Sequence, residues 1–293
     1  FCVEVNEQAN ITRSNAEATI FNIFVDNCIT NIKPMSNEFI KFSIDGSVGK
    51  IILNRPDKYN SFNREMALQM QGALDKCEGD KNIRAVYITG EGKGFCSGQD
   101  LSEAISPGAN IAAIVRETYN PIIQKIRNIE KPVVCAVNGV AAGAGACIAL
   151  ACDVVAATSS ASFTQVFSKI GLIPDSGGTF FLPRLIGFGK ASALMMLGDK
   201  ISAADAEKMG MIYKVVDDAK FQEEAFAIAK TLSEMPTKGI GLTKRLLNQS
   251  VFNTLNQQLE AEATEQESAA GTYDFSEGVK AFLEKRKPVF KGE

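Results

Sequence analysis

The sequence predicts an α/β protein that ends in a mostly helical section. Short apolar strands alternate with amphipathic helices between residues 40 and 160, and from about residue 190 onward the patterns are helical. Such alternation is typical of layered α/β folds. Glycine-rich segments follow three of the strands, which places small-residue loops where strands lead into helices.

The first predicted element is a hairpin. Residues 35–56, MSNEFIKFSIDGSVGKIILNRP, alternate strand residues on both sides of Asp45-Gly46, and Pro56 ends the second strand. An Asp-Gly pair between such segments is typical of a tight turn. We take Met35 as the natural start. Residues 1–34 have neither the basic nor the compact apolar region of a signal peptide, so we expect an appended leader or a cloning artefact.

The remaining elements form a core over residues 35–230 and a helical section over 231–293. Helix-period apolar patterns and short apolar runs predict them in turn. They are a helix over 63–80, a strand over 83–90, a helix over 111–130, a strand over 132–139, a helix over 144–153, a strand over 154–158, and helices over 190–199, 202–210, 221–235, 240–250 and 253–271. No low-complexity linker separates the two parts.

The composition excludes several classes of partner. With 31 Lys and Arg against 34 Asp and Glu, the net charge of −3 offers no electrostatic reason to bind nucleic acid or an anionic membrane. No apolar run reaches the roughly 18–20 uninterrupted residues of a membrane span. The seven cysteines are scattered and form no CxxC pair, which favours a reducing cytoplasm over a disulfide framework or a zinc site.

The sequence contains no histidine. Ser-His-Asp and Cys-His nucleophile activation, HExxH zinc sites and any histidine general base are therefore excluded. Proton transfer must depend on Asp, Glu, Lys, Tyr or Cys.

Three glycine-rich loops are candidates for binding an anion. They are GEGKGFCSGQDL (90–101), NGVAAGAGACIALA (138–151) and GLIPDSGGTFFL (171–182). The second is no dinucleotide fingerprint, because Ile148 stands at its third glycine position, and the near-match to GxSxG around Ser97 lacks a histidine partner. A small-residue loop that begins a helix presents unpaired N–H groups, which suit a developing oxyanion. Tight packing of helix on strand is the alternative explanation for these glycines.

Four segments in this order resemble the enoyl-CoA hydratase/isomerase (crotonase) superfamily, from about Phe39 to Phe290: GFCSGQDL, KPVVCAVNGVAAGAGACIAL, FSKIGLIPDSGGTFFLPRLIG and EGVKAFLEKRKPVF. The resemblance implies a crotonase-type ββα spiral with a helical C-terminal section, assembled as a homotrimer or a dimer of trimers. It also implies an acyl-CoA substrate, a stabilised thioester enolate, and no metal or cofactor beyond the CoA moiety of the substrate.

The resemblance carries site residues over to this sequence. The oxyanion amides fall on Gln99 and Ala144, and both act through the backbone N–H. Three groups of residues match CoA-contacting positions of the family. Arg55 and Lys58 match phosphate partners, and Phe282 and Lys285 match positions that reach the CoA of a neighbouring subunit. In the first loop the matching residues are Ser97, Gly98, Leu101 and Asp100, the last of which structures the loop. For the charged residues among them, a solvated surface position is the alternative.

The two glutamates with which hydratases of this family activate water are replaced by Cys147 and Phe167. The carboxylate that remains is Asp175 in KIGLIPDSGGTFFLPR. By itself, this pattern predicts an N-cap residue. The resemblance is closest to the aspartate-dependent isomerases that act on epoxyphenylacetyl-CoA, and it implies that Asp175 shuttles a proton. An apolar wall of Ile173, Pro174 and Phe167 would raise its pKa, and a nearby helix N-terminus would lower it.

We therefore expect an isomerase that converts ring-1,2-epoxyphenylacetyl-CoA into the oxepin-CoA through a thioester enolate, with Δ3,Δ2-enoyl-CoA isomerisation as a second activity. One alternative is an enoyl- or dienoyl-CoA isomerase or hydratase of fatty acid oxidation. Another is a non-catalytic acyl-CoA-binding protein on the same fold, and Asp175 discriminates against it, because a silent protein has no need of an acid-base group in its pocket.

Overall fold

Two β-sheets form the centre of the computed structural model, which describes residues 38–293. The strands are β1 (Ile40–Asp45), β2 (Val48–Leu53), β3 (Ala85–Gly90), β4 (Gly94–Cys96), β5 (Val133–Val137), β6 (Val140–Ala142), β7 (Val154–Thr158), β8 (Ser162–Thr164), β9 (Lys200–Ser202) and β10 (Lys214–Val216). The leader predicted over residues 1–34 lies outside the described residues.

Helices follow or cover these strands. They are α1 (Arg64–Gly79), α2 (Leu101–Ala104), α3 (Ile111–Ile114), α4 (Asn120–Asn128), α5 (Ala144–Ala151), α6 (Gly178–Ile186), α7 (Phe188–Leu197), α8 (Ala203–Lys208), α9 (Phe221–Ser233), α10 (Thr237–Ser250), α11 (Leu255–Ala270) and α12 (Tyr273–Leu283). Residue 230, the predicted end of the core, lies within α9.

The chain alternates between the two sheets in a repeating ββα pattern. The first sheet has the order β1-β2-β3-β5-β7-β10 and the second has the order β4-β6-β8-β9. Thus β3 and β4 are followed by helices, β5 and β6 by α5, and β7 and β8 by the segment that leads to α6. Most neighbouring strands are parallel. The predicted ββα spiral with a helical C-terminal section is confirmed.

The hairpin is confirmed as well. Strands β1 and β2 pair antiparallel, with Asp45 opposite Val48, so the turn consists of Gly46 and Ser47. Gly46 has a φ of +60°, in the left-handed region that such a turn requires and that glycine adopts without steric cost.

Small side chains let α5 lie deep in the core. Every residue of α5 is buried. At Gly145 a Cβ atom would lie 2.6 Å from the Cβ of Cys96, at the end of β4, so only glycine permits this approach of helix and strand. This packing brings the loop after β4 beside the start of α5.

The single helix predicted over 111–130 is wrong in detail, because a π-helical turn over Val115–Tyr119 separates α3 from α4. The Asn120 amide bonds to the Val115 carbonyl, five residues back. Pro121 follows, and proline has no N–H with which to continue an α-helical ladder. The wider turn places Thr118 and Tyr119 in the core.

Within residues 38–293 there is no helix long and apolar enough to span a membrane.

Candidate active site

A cavity of about 170 Å³ lies between the loop after β4, the start of α5 and the segment before α6. Its walls are largely apolar, and Asp175 is the only carboxylate among the described residues that line it. The cavity gathers six residues predicted from the sequence: Ser97, Gly98, Gln99, Leu101, Ala144 and Asp175. Segments far apart in the chain thus form one site.

The first loop leaves one backbone amide without an acceptor. The Gly98 amide donates to the Cys96 Sγ at 3.4 Å, and the Asp100 amide donates to the Phe62 carbonyl at 2.8 Å. The Phe62 amide in turn donates to the Gly98 carbonyl, so Phe62 pairs with this loop as in a parallel ladder. That pairing directs the N–H of Gln99 away from Phe62. No acceptor bonds to it within the described residues.

The second loop presents the amide of Ala144 at the first position of α5. Gly143 precedes it with φ +52° and ψ −127°, a conformation that only glycine adopts readily, and no side chain caps the helix. The Gly143 amide donates to the Thr164 carbonyl at 2.9 Å. The Ala144 N–H has no backbone acceptor in the part of the chain that the structure describes, as expected of the first turn of a helix.

The two loops are in van der Waals contact. Gly98 has a φ of +97°, and a Cβ there would lie 3.0 Å from the Ala142 carbonyl oxygen and 3.5 Å from the Ala144 nitrogen. Gln99, which follows Gly98, and Ala144 therefore lie on neighbouring loops, and both residues line the cavity. One unpaired donor on each loop, with that of Ala144 at the N-terminal end of a buried helix, can stabilise an oxygen that gains negative charge.

Asp175 precedes a tight turn and does not cap α6. Ser176 and Gly177 have φ values of +51° and +76°, and the Gly178 amide donates to the Asp175 carbonyl at 2.8 Å. This geometry makes Gly177 the N-cap of α6, without any side-chain capping bond. The N-cap role predicted from the local pattern is therefore wrong. The Asp175 carboxylate instead accepts a hydrogen bond of 2.8 Å from the Ser176 hydroxyl.

Burial raises the pKa of Asp175 above its usual value. Hydrogen bonds to the carboxylate from the Ser176 hydroxyl and from the backbone amide of Asp175 oppose that rise. Phe167 supplies part of the apolar wall, as predicted. Ile173 does not, because it is 81% exposed. A carboxylate with a raised pKa binds and releases protons closer to neutral pH than an ordinary aspartate.

The positions of the two hydratase glutamates hold no acid-base group. Cys147 is fully buried, and its thiol donates to the Gln165 Oε1 at 3.6 Å. Burial, and secondarily the charge of Asp175, raises the pKa of Cys147 to about 12, so it remains a thiol near neutral pH. Phe167 is buried and lines the cavity beside Gly143.

The structure adds Tyr119 to the residues predicted for this site. Its buried hydroxyl lines the cavity and donates to the Gln99 Oε1 at 2.5 Å. The Gln99 Nε2 donates to the Glu103 Oε2 at 3.0 Å. A tyrosine at an apolar position of a predicted helix indicates a buried hydrogen bond in the core, because a buried hydroxyl normally has a partner.

Arg55 and Asp100 form an ion pair at the edge of the first loop. The Arg55 guanidinium donates to the Asp100 Oδ2 at 2.9 Å and to the Ser61 carbonyl at 2.6 Å. Asp100 also begins α2, since its other oxygen accepts from the Ser102 amide and hydroxyl. Lys58 is exposed, and its carbonyl accepts from the Ser97 hydroxyl at 3.3 Å. Their contacts with CoA stay predictions.

Phe282 and Lys285 lie outside this cavity. Phe282 is 82% exposed and lines a separate cavity of about 460 Å³ between α10, α11 and α12, and Lys285 follows at the end of α12. Their contact with the CoA of a neighbouring subunit stays a prediction. Within residues 38–293, no group of three or more Cys, Asp or Glu side chains is arranged to hold a metal ion.

A ββα spiral whose loops present two free amides beside a half-buried carboxylate defines a protein of the crotonase class. The chain belongs to the enoyl-CoA hydratase/isomerase family, whose family model matches residues 43–293.

Similar proteins cover nearly the same part of the chain. The 1,2-epoxyphenylacetyl-CoA isomerase of Escherichia coli (strain K12) is 45% identical over 260 residues, which are 87% of this chain and 99% of that protein. A Rhodobacter capsulatus protein named "Probable enoyl-CoA hydratase" is 42% identical over 88% of this chain and its own full length. The crystal structure of an enoyl-CoA hydratase from Bacillus anthracis has a TM-score of 0.82 at 34% identity, covering 87% of this chain and 100% of that one.

Proposed function

We propose that this protein is an acyl-CoA isomerase that converts ring-1,2-epoxyphenylacetyl-CoA into the oxepin-CoA. The observation that carries the proposal is Asp175, the only carboxylate among the described residues that line the cavity, which lies with two free amides in a largely apolar pocket. The 45% identity to an isomerase of this specificity supports the choice of substrate.

Each step assigns one task to these groups. The N–H groups of Gln99 and Ala144 hold the thioester oxygen, and Asp175 takes a proton from the α-carbon, whose electron pair forms the enolate. The ring bond shared with the epoxide breaks as the seven-membered ring forms, and Asp175 returns its proton to a ring carbon. No atom or electron is gained or lost, so the proposed reaction needs no redox cofactor. Each amide donor contributes about 3 kcal/mol to lowering the barrier.

Isomerisation is favoured over hydration by the groups beside Asp175. Adding water across a double bond requires a base for the water and an acid for the carbon. The thiol of Cys147, with a pKa of about 12, and the ring of Phe167 supply neither near neutral pH. One carboxylate suffices for an isomerisation, because the group that removes a proton from one carbon can return a proton to another.

For the same reason we propose a second activity, the shift of a double bond between the β,γ and α,β positions of an enoyl-CoA. This reaction also begins with α-proton removal and passes through an enolate, so it uses Asp175 and both amides without further groups.

We further propose that the protein works as a homotrimer or a dimer of trimers. Large apolar side chains at the C-terminal helices support this, because Phe282 and Leu283 of α12 are 82% and 74% exposed in the single chain.

Asp175→Asn tests the proposed function. The amide keeps the size of the side chain but cannot take a proton, so we expect kcat for the epoxide substrate to fall by roughly 10²- to 10⁴-fold, with KM changed far less. In D₂O the wild-type protein should incorporate deuterium at the α-carbon of phenylacetyl-CoA, and the variant should not. Asp199→Asn is the matched control, since Asp199 is exposed and lies outside the cavity.

Two results would contradict the proposal. One is unchanged turnover by an Asp175→Asn variant whose melting temperature shows that it is folded. The other is rapid conversion of crotonyl-CoA in ¹⁸O-labelled water into 3-hydroxybutyryl-CoA that carries ¹⁸O in its hydroxyl group, which would make the protein a hydratase with other acid-base groups.

A further inference from the structure

The side chain of Gln99 is held from both ends. Its Oε1 accepts from the Tyr119 hydroxyl at 2.5 Å, and its Nε2 donates to the Glu103 Oε2 at 3.0 Å. These partners leave no choice in the orientation of the amide, because Glu103 can only accept. The Glu103 carboxylate also accepts from the Arg64 amide at 3.0 and 3.1 Å, which fixes it to the N-terminus of α1.

Tyr119 contacts the first loop by a second route. Its ring packs edge-on against Phe62, with 6.0 Å between the ring centroids. Phe62 is the residue whose backbone bonds to Gly98 and Asp100, on either side of Gln99. Tyr119 therefore supports this loop through both a side chain and a backbone partner.

The π-helical turn explains why the hydroxyl is in place. Tyr119 is the last residue of that turn and is almost fully buried, so its ring has little freedom to move. Burial, with the nearby negative charges, raises the pKa of Tyr119 well above its usual value. It therefore keeps its proton and remains a hydrogen-bond donor.

We infer that Tyr119 is a positioning residue for catalysis, which orients the Gln99 N–H toward the substrate oxygen by holding the Gln99 side chain. A displacement of a few tenths of an ångström weakens a donor aimed at a developing charge, so the effect falls on kcat more than on binding. This inference rests on the proposed function only in that a thioester oxygen accepts hydrogen bonds from the N–H groups of Gln99 and Ala144.

Tyr119→Phe removes the hydroxyl and keeps the ring. We expect kcat to fall about 5- to 10-fold, the size of one lost hydrogen bond, with KM within about 2-fold of the wild-type value. Tyr87→Phe is the matched control, because Tyr87 is equally buried and its hydroxyl makes no hydrogen bond within the described residues.

A direct readout is the carbonyl stretch of phenylacetyl-CoA labelled with ¹³C at the thioester. Binding to the two amides should lower this frequency in the wild-type protein, and Tyr119→Phe should reduce the shift while Tyr87→Phe leaves it unchanged. No isomerisation is needed for this measurement. It therefore tests Tyr119 even if Asp175→Asn were to contradict the proposed reaction.

Gln99→Met tests the same contact from its other end and keeps the backbone N–H. If Tyr119 acts through this side chain, the double variant should be no slower than Gln99→Met alone. A carbonyl shift in Tyr119→Phe equal to that of the wild type, or fully additive losses of kcat in the double variant, would overturn the inference. Should Tyr119→Phe fail to fold, the carbonyl shift of Gln99→Met decides, since the inference requires that it be reduced as well.

Discussion

Asp175 experiences two opposing influences on its charge. Burial favours the neutral acid, and the hydroxyl of Ser176 favours the carboxylate. Burial has the larger effect, so the pKa of Asp175 is raised. The Ser176 hydroxyl beside it can rotate as the carboxylate gains or loses its proton. Ser176 itself is held at a φ of +51°, so the turn that aims the hydroxyl is part of the same local structure.

Ser176→Ala should shift the pH dependence of the reaction. The hydroxyl stabilises the charged form, so its removal raises the pKa of Asp175 further. Since the base form starts the proposed reaction, we expect the acidic limb of log kcat/KM against pH to move to higher pH, with the plateau reached later. A limb that stays in place or moves to lower pH would contradict this assignment.

Asp175→Asn should also stabilise the fold near neutral pH. The folded-state pKa of Asp175 lies above its unfolded value, so the stability this group contributes is present at low pH and is lost as the pH rises through the folded pKa. A neutral amide avoids that loss, and we expect a higher melting temperature than the wild type at pH 7. The difference should shrink on acidification, and a variant less stable at pH 7 would show that burial is not the dominant influence.

At the scale of elements, the site depends on the close approach of β4 and α5. Gly98 and Gly145 leave no room for a side chain between the loop after β4 and the start of α5. Gln99 and Ala144 line one cavity only because these backbones touch. Tyr119 reaches Gln99 because the helix of residues 111–128 contains a π-helical turn.

Gly145→Ala should destabilise the protein by roughly 1–3 kcal/mol in urea unfolding, because the new methyl group collides with the backbone and side chain of Cys96. Gly72→Ala is the control. Gly72 lies within α1 with open space around it, so alanine there should stabilise by about 1 kcal/mol through its higher helix propensity. Equal effects of the two changes would exclude close packing as the reason for Gly145.

The elements differ in how far periodicity could predict them. Helix α1 was predicted well, because Asn63 caps it and its apolar residues recur at helical spacing. The strands of the second sheet are three residues long and include GFC and VAA, too short for any period to appear. The sequence does not predict the π-helical turn before α4. Pro121 is compatible with the first turn of a new helix and also with a wider turn, and only contacts with the rest of the fold select between the two.

At the scale of the whole molecule, one buried lysine joins the C-terminal helices to the spiral. Lys244 of α10 is 5% exposed and forms an ion pair of 2.7 Å with Asp153, which precedes β7. It also donates to the carbonyls of Ile126 and Lys131. All of its N–H groups thus have acceptors, as a buried ammonium requires.

Lys244→Met should cost roughly 3 kcal/mol of unfolding free energy, because the carbonyls of Ile126 and Lys131 lose this donor and Asp153 retains only Arg127 as an ion-pair partner. Lys214→Met is the matched control, since Lys214 forms its ion pair with Glu224 at the surface, where solvent screening leaves such pairs little effect on stability. Similar losses for the two variants in chemical denaturation would show that Lys244 does not connect the two parts.

The sequence alone determined the family, the alternation of strands and helices, and the candidate groups Gln99, Ala144 and Asp175, because ordered motifs, periodicity and a lack of histidine are local or compositional properties. Tertiary structure decided which amides remain unpaired, that Gly177 rather than Asp175 caps α6, and that Tyr119 holds Gln99. These features depend on hydrogen bonds between segments distant in the chain, and on burial, and neither can be obtained from the order of residues within any one segment.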